Sequence, residues 1–287
     1  MFLICESLNT AGKSLKVTRF RETMRVLPTY LPVTIFVLLL LILLPAYGQT
    51  SVALSPGDAS LSFAHTAGQK RIVIGFVGGF VRHDEKHHPE VQLAHRLHRL
   101  ENSNIDAEVF ENRHGGKAFH KIMRALDADH NGVVTADEKQ SARIIIYGHS
   151  WGASETVTLA RKLEREGIPV LLTIQVDSIL RPGGEEDSVI PANVESAINF
   201  YQTWGPLQGR RKIRAADPTR TTILGNFKMT YKGHPVNCDQ NPWYARLFTK
   251  THMEIENDPR IWDKVFSLID ADMPRTEPAT SAASVSR

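Results

Sequence analysis

Residues 143–152 read Arg-Ile-Ile-Ile-Tyr-Gly-His-Ser-Trp-Gly. Arg143 to Tyr147 is a β-branched and aromatic run, the composition of a buried strand. It ends in Gly148-His149-Ser150-Trp151-Gly152, a G-x-S-x-G sequence. Glycines on both sides of a serine permit a cramped strand-to-helix turn that lifts its hydroxyl clear of a sheet. The helix N-terminus that follows favours negative charge developing beside that hydroxyl. The motif has meaning only with a strand before it and a helix after it. Here the pattern predicts a helix from Ala153 to Glu166, stopped by Gly167 and Pro169.

Upstream, Arg71-Ile-Val-Ile-Gly-Phe-Val leads into Gly78-Gly79-Phe80 as a buried, glycine-ended strand, and Ala107 to Phe110 is a short second strand. Val91, Ala94, Leu97 and Leu100 share one face of a helix spanning Pro89 to Leu100, and Lys117 to Leu126 reads as another helix. Downstream, Val170 to Asp177 is an apolar strand, Asn193 to Tyr201 is expected to be helical, Thr221 to Tyr231 is strand-like, and Asp258-Pro259 opens a last helix through Ile269. Strands alternating with helices predict an α/β fold, a mostly parallel central sheet flanked by helices on both faces. Chemistry in such a sheet belongs at the carboxyl ends of its strands.

The chain has 287 residues, 34 basic and 31 acidic, with Cys5 and Cys238 its only cysteines. Residues 1–48 hold five of the basic residues and two of the acidic ones, which leaves 29 of each sign in the remainder. A neutral body gives no footprint for nucleic acid, and two cysteines exclude a disulfide framework. Leu31 to Pro45 is uncharged and apolar, follows basic residues, and precedes the small residues Ala46 and Gly48. That is the form of a secretory signal cut after Gly48, with Met24 as a more ordinary start than Met1. The alternative is a retained membrane tether through residues 26–48. Either reading exports the remainder, to the periplasm or beyond the cell. The expected organisation is a signal or anchor at 1–48, a linker at 49–69, the catalytic domain at 70–272 and a disordered tail at 273–287.

A serine nucleophile needs a base to take its proton and an acid to orient that base. Asp177 closes the strand after the nucleophile's helix, so it is expected at the same sheet edge as Ser150; Asp187 and Asp217, both in polar segments, are its rivals. His252 is expected on a loop before the last helix, free to reach the serine, with His234 as competitor. The chain order Ser150, Asp177, His252 then follows.

With these residues the chain resembles the α/β-hydrolase family over about residues 70 to 270, and within it small exported bacterial esterase- or lipase-like members. The resemblance implies a serine hydrolase acting on a small-molecule or lipid ester. It also implies an oxyanion hole made by the amide of Trp151 and one from Phe80 or Gly79, although Val77-Gly78-Gly79-Phe80 departs from the lipase HGGG form. Amide or thioester substrates fit the same triad, and so does a non-catalytic, calcium-dependent binding module on the same scaffold.

A second motif spans Asp127 to Glu138. It matches the twelve-residue EF-hand loop, with Asp127, Asp129, Asn131, the Val133 carbonyl, Thr135 and Glu138 at the ligand positions and Gly132 at the turn. Ca2+ is therefore the expected cofactor, in a structural role. The outgoing helix is curtailed because Arg143 already begins a strand. His83 and His87 have a metal-like spacing, but Pro89 and the absence of a metalloprotease glutamate make Arg82 to Glu90 a solvated rim of the site rather than a zinc centre. Trp204, Trp243, Tyr244 and Phe248 are expected in the core, with an apolar acyl pocket as their alternative place.

Overall fold

The computed structural model describes residues 71–100, 104–243, 246 and 249–271. The expected signal or anchor, the linker and the tail lie outside these residues, as do Tyr244 and Phe248. Among the described residues no helix is long and apolar enough to cross a membrane.

Among the described residues six strands form the central sheet: β1 (Arg71–Val77), β2 (Ile105–Glu111), β3 (Arg143–His149), β4 (Val170–Val176), β6 (Val194–Tyr201) and β8 (Thr222–Lys228). Their order is β2-β1-β3-β4-β6-β8, and every pairing in it is parallel. Two-residue strands β5 (Val189–Ile190) and β7 (Arg214–Ala215) pair separately. Parallel strands need crossovers: helices supply those up to β4, the two after it carry β5 and β7 instead, and helices cover both faces of the sheet. Alternate side chains divide accordingly. Ile72, Ile74 and Phe76 of β1 and Ile144 and Ile146 of β3 pack with helices α2 (Gly115–Leu126) and α4 (Trp151–Arg165). Val73, Val77, Ile145 and Tyr147 pack on the other face with α1 (Pro89–His98) and α6 (Pro259–Ala271). Each such fully buried side chain stabilises the fold by about 1.5–3 kcal/mol. The fold class is thus the α/β-hydrolase type expected, with a sheet parallel throughout.

One element differs in type. Asn193 to Tyr201 is not helical: Val194–Tyr201 is strand β6, hydrogen-bonded between β4 and β8. Val194, Ala197, Ile198 and Tyr201 have the 3.6-residue spacing of a helix face. Burial on both faces makes a strand apolar throughout, so helical spacing arises within it by default. The short helix α3 (Ala136–Gln140) follows the EF-hand-like loop and is fixed at its start by a capping box between Thr135 and Glu138.

Candidate active site

Ser150 sits where β3 ends and α4 begins, at φ 57° and ψ −123°, a conformation an L-residue adopts only when its surroundings enforce it. Two sheet-edge bonds enforce it: the Ser150 amide donates to the Val176 carbonyl at 3.0 Å, and the Ile179 amide donates to the Ser150 carbonyl at 3.2 Å. The flanking glycines are required by close approach. A Cβ on Gly148 would lie 2.6 Å from the Gly152 backbone, and one on Gly152 would lie 2.3 Å from the Phe76 carbonyl oxygen.

His252 lies beside the serine, its Nε2 2.9 Å from Ser150 Oγ, and its Nδ1 is 2.7 Å from Asp177 Oδ2. All three side chains are buried. Asp177 stands one residue beyond β4, at φ 44°, and receives three further donors. Its Oδ1 accepts from the Gln202 amide at 3.2 Å and the Gly209 amide at 2.9 Å, and its Oδ2 accepts from Gln202 Nε2 at 2.9 Å. The Gln202 amide is oriented in turn, since its Oε1 accepts from the Trp204 amide at 2.7 Å. A carboxyl surrounded by donors is an acceptor only, so the proton of the His252–Asp177 bond belongs to Nδ1. Nε2 is then left with a lone pair toward the serine hydroxyl.

His252 is carried by a helix rather than by the expected loop. Lys250–Glu256 forms two turns, here α5, that bury His252, Ile255 and Glu256. The segment reads as loop in sequence because it is short and has no side-chain cap, and helix formation there depends on packing. Asp258, preceding Pro259, separates it from α6. The rival residues sit elsewhere. Asp187 is buried but bonds Ser178 Oγ at 2.7 Å and Arg210 Nε at 2.6 Å. Asp217 makes a local turn with Thr219, and His234 is exposed.

A cavity of about 580 Å³ opens over Ser150 and His252, with Phe80, Val81, Trp151, Ile179, Leu207 and Met253 supplying its apolar wall. Phe80 meets Trp151 edge-on, ring centroids 5.3 Å apart. Gly79, at φ 47°, turns the chain there, and Asn112 Nδ2 fixes that turn by donating to its carbonyl at 2.6 Å. Among the described residues, the amides of Trp151 and Phe80 have no protein acceptor. Trp204 and Trp243 are more than half exposed and do not line the cavity, contrary to either place expected for them. His83 and His114 both hydrogen-bond Glu111. Burial works against the ionised Glu111, but these bonds outweigh it and hold its carboxyl at about 2.

Behind His252 lies a second group, and it corrects one expectation: His88 and Glu90, expected on a solvated rim with the rest of Arg82 to Glu90, are both buried. His149 packs against the His252 ring, centroids 4.5 Å apart and planes tilted by 34°, and faces buried Glu90 and Glu256, while Glu256 bonds His88. Burial pushes His149 down to about 4, so its ring is neutral. Burial first, and the neighbouring Glu256 second, raise the Glu90 carboxyl to about 8. The members come from β3, α5 and the start of α1, so only the folded chain brings them together.

At the opposite end of β3, Asp127, Asp129 and Glu138 bring carboxylate oxygens within 4.8 Å of one another. The Gly132 amide donates to Asp127 at 2.9 Å and the Asn131 amide to Asp129 at 3.2 Å, the inward-turned loop that an EF-hand donor set needs. Glu138 also accepts from the Ala128 and Thr135 amides, both at 2.8 Å, so three carboxylates, the oxygen-only donor type that calcium takes, converge at the loop.

No family model and no curated protein matches the chain. Among solved structures, RedJ, with a polyethylene glycol molecule in its active site, aligns at 9% identity and a TM-score of 0.34, over 73% of this chain and 95% of its own. A dienelactone hydrolase-like promiscuous phosphotriesterase from metagenomic libraries aligns at 15% and 0.35, over 71% and 87%. Dienelactone hydrolase from Anabaena variabilis aligns at 13% and 0.33, over 71% and 85%.

Proposed function

We propose that this protein is an exported serine hydrolase that cleaves a carboxylic ester of a small molecule or lipid, with a structural calcium ion in the Asp127–Glu138 loop. The observation that carries the reading is the unbroken hydrogen-bonded line from Asp177 through His252 to Ser150 at the floor of a cavity. In this mechanism Ser150 Oγ attacks the ester carbonyl while His252 Nε2 takes the hydroxyl proton. The resulting imidazolium is stabilised by Asp177, which holds Nδ1–H and does not itself become protonated. The oxyanion is met by the Trp151 amide and by that of Phe80 or Gly79, groups that are fixed before the substrate arrives. His252 then passes its proton to the leaving alkoxide, and water repeats the sequence on the acyl-serine, returning the proton to His252 and finally to Ser150. An apolar wall beside the polar Ser150–His252 floor suits an acyl chain better than a charged substrate.

A fluorophosphonate probe is expected to label the wild-type protein at Ser150. Ser150→Ala should lose labelling and lower hydrolysis of a short p-nitrophenyl ester by roughly 10⁴–10⁶-fold while keeping its melting transition. A folded Ser150→Ala protein with a tenth of wild-type activity ends the serine mechanism.

A further inference from the structure

We propose that His88, Glu90, His149 and Glu256 bind one divalent transition-metal ion, zinc or a cation of the same class, beneath the floor of the cavity. The four side chains are 6%, 0%, 2% and 2% exposed. Coordinating atoms of His88, Glu90 and Glu256 all lie within 4.8 Å of one another. His149 Nδ1 is 3.8 Å from Glu90 Oε1 and 3.8 Å from Glu256 Oε1.

What sets this group apart is that it is incomplete as a protein-only network. Neither carboxylate oxygen of Glu90 and neither ring nitrogen of His149 has a hydrogen-bond partner among the described residues. A buried polar group without a partner costs several kcal/mol, and buried carboxylates persist when paired or bound to metal. One divalent cation gives partners to Glu90 and His149 together and balances both glutamates.

The donor set selects the ion. Two imidazoles and two carboxylates suit zinc and its neighbours, whereas calcium takes oxygens alone. Tetrahedral bonds of about 2.0–2.2 Å place ligand atoms about 3.3–3.6 Å apart, close to the 3.8 Å separations of His149 from each carboxylate. His88 Nδ1 and Glu256 Oε1, now 2.6 Å apart, have to separate by about 1 Å as the ion replaces the proton between them. The other nitrogen of His88 faces a Glu85 carboxylate oxygen at 3.7 Å, in the position of an outer group that orients a metal-binding histidine. His88, His149 and Glu256 line the same cavity as Ser150, which gives the ion a way in. The site is independent of the serine chemistry: it would exist in a protein that hydrolyses nothing.

The test is optical. The full chain is stripped with chelator, dialysed into calcium to occupy the EF-hand-like loop, and titrated with Co2+. We expect one equivalent to bind with the visible absorption bands of a four- or five-coordinate nitrogen and oxygen site, and Zn2+ to abolish them. Glu90→Gln and, separately, His88→Gln should weaken binding by roughly tenfold or more. Glu138→Gln should not. Melting curves identify which variants fold, and either of the first two suffices. Absence of bands in the wild-type protein at ~100 µM Co2+ overturns the site, as does wild-type affinity in folded Glu90→Gln or His88→Gln. Loss of the bands in a His83→Gln/His87→Gln double variant also overturns it, by placing the ion at the exposed rim instead.

Discussion

Gly209 has no side chain, and the position of Asp177 depends on that. A Cβ there would lie 2.4 Å from Asp177 Oδ1 and 2.5 Å from its carbonyl carbon, while the Gly209 amide is one of the donors that hold the carboxylate. Gly209→Ala should therefore displace the acid without removing any member of the triad. Misplacement by an ångström costs on the order of 10²-fold in rate, so kcat for ester hydrolysis is expected to fall by about that factor with KM little changed. Asp187→Asn gives the contrast: it breaks the contacts to Ser178 and Arg210, and should lower the melting temperature while kcat stays near wild type. Steady-state kinetics beside melting curves separate the two, and an unaffected kcat in folded Gly209→Ala means that the carboxylate does not orient His252. Ser150 and Asp177 were readable in sequence because each ends an apolar strand. Gln202 and Gly209 were not, because their partner lies 25 and 32 residues away and the long crossing between them carries no periodic pattern.

Among the elements, α4 carries a second buried carboxylate with a different consequence. Glu155 is 7% exposed, and the end of its side chain lies against Gly115 of α2. A Cβ there would lie 1.8 Å from Glu155 Oε1. Burial raises its carboxyl from the ordinary 4.5 to about 7, with Arg181, 3.6 Å away, partly opposing the shift. Between those two values the folded protein holds a proton that the unfolded chain has released. Stability is therefore lost as pH rises from 4.5 to 7, and the deficit remains above 7. Glu155→Gln removes the titration, so its stability relative to wild type should improve from pH 4.5 to pH 8 by about 1–3 kcal/mol. Denaturant melts at the two pH values measure this, and a pH-independent difference contradicts it. The elements that sequence misjudged, β6 and α5, share one physical cause. Both take their conformation from what they pack against, β6 from the strands on either side and α5 from the site it covers, and local pattern gives no information about either.

For the molecule as a whole, the two ends of β3 divide the work. The EF-hand-like loop and α3 lead into β3 at Arg143, and Ser150 follows its last residue. Seven strand residues at about 3.3 Å each put roughly 20 Å between them. Calcium bound at the loop should therefore act on stability and leave the chemistry alone. Calcium at a hundredfold excess over its Kd should stabilise the native state by about 2.7 kcal/mol. Glu138→Gln or a calcium-selective chelator should remove the rise in melting temperature. Hydrolysis at 25 °C is expected to be unchanged by chelation, with inactivation faster at elevated temperature. A melting curve indifferent to calcium and chelator, together with no heat of binding, returns the loop to a polar turn. The layer arrangement was legible because strands buried on both faces and amphipathic helices repeat in register along the chain. The placement of the loop and Ser150 at opposite ends of β3 was legible as well, since the loop precedes Arg143 and the serine follows His149.

The bonds that hold Ser150 also give its backbone a slow clock. Its amide proton is committed to Val176 across the β3–β4 pair at the middle of the sheet, and its carbonyl to the Ile179 amide. Deuterium can replace that proton only when the central strands part, so its exchange should report the free energy of global unfolding rather than local fluctuation. The hydroxyl on the same residue meanwhile faces an open cavity. A residue that is dynamically silent along its backbone and chemically available at its side chain lets one amide resonance measure how stable the nucleophile's platform is, with no substrate present.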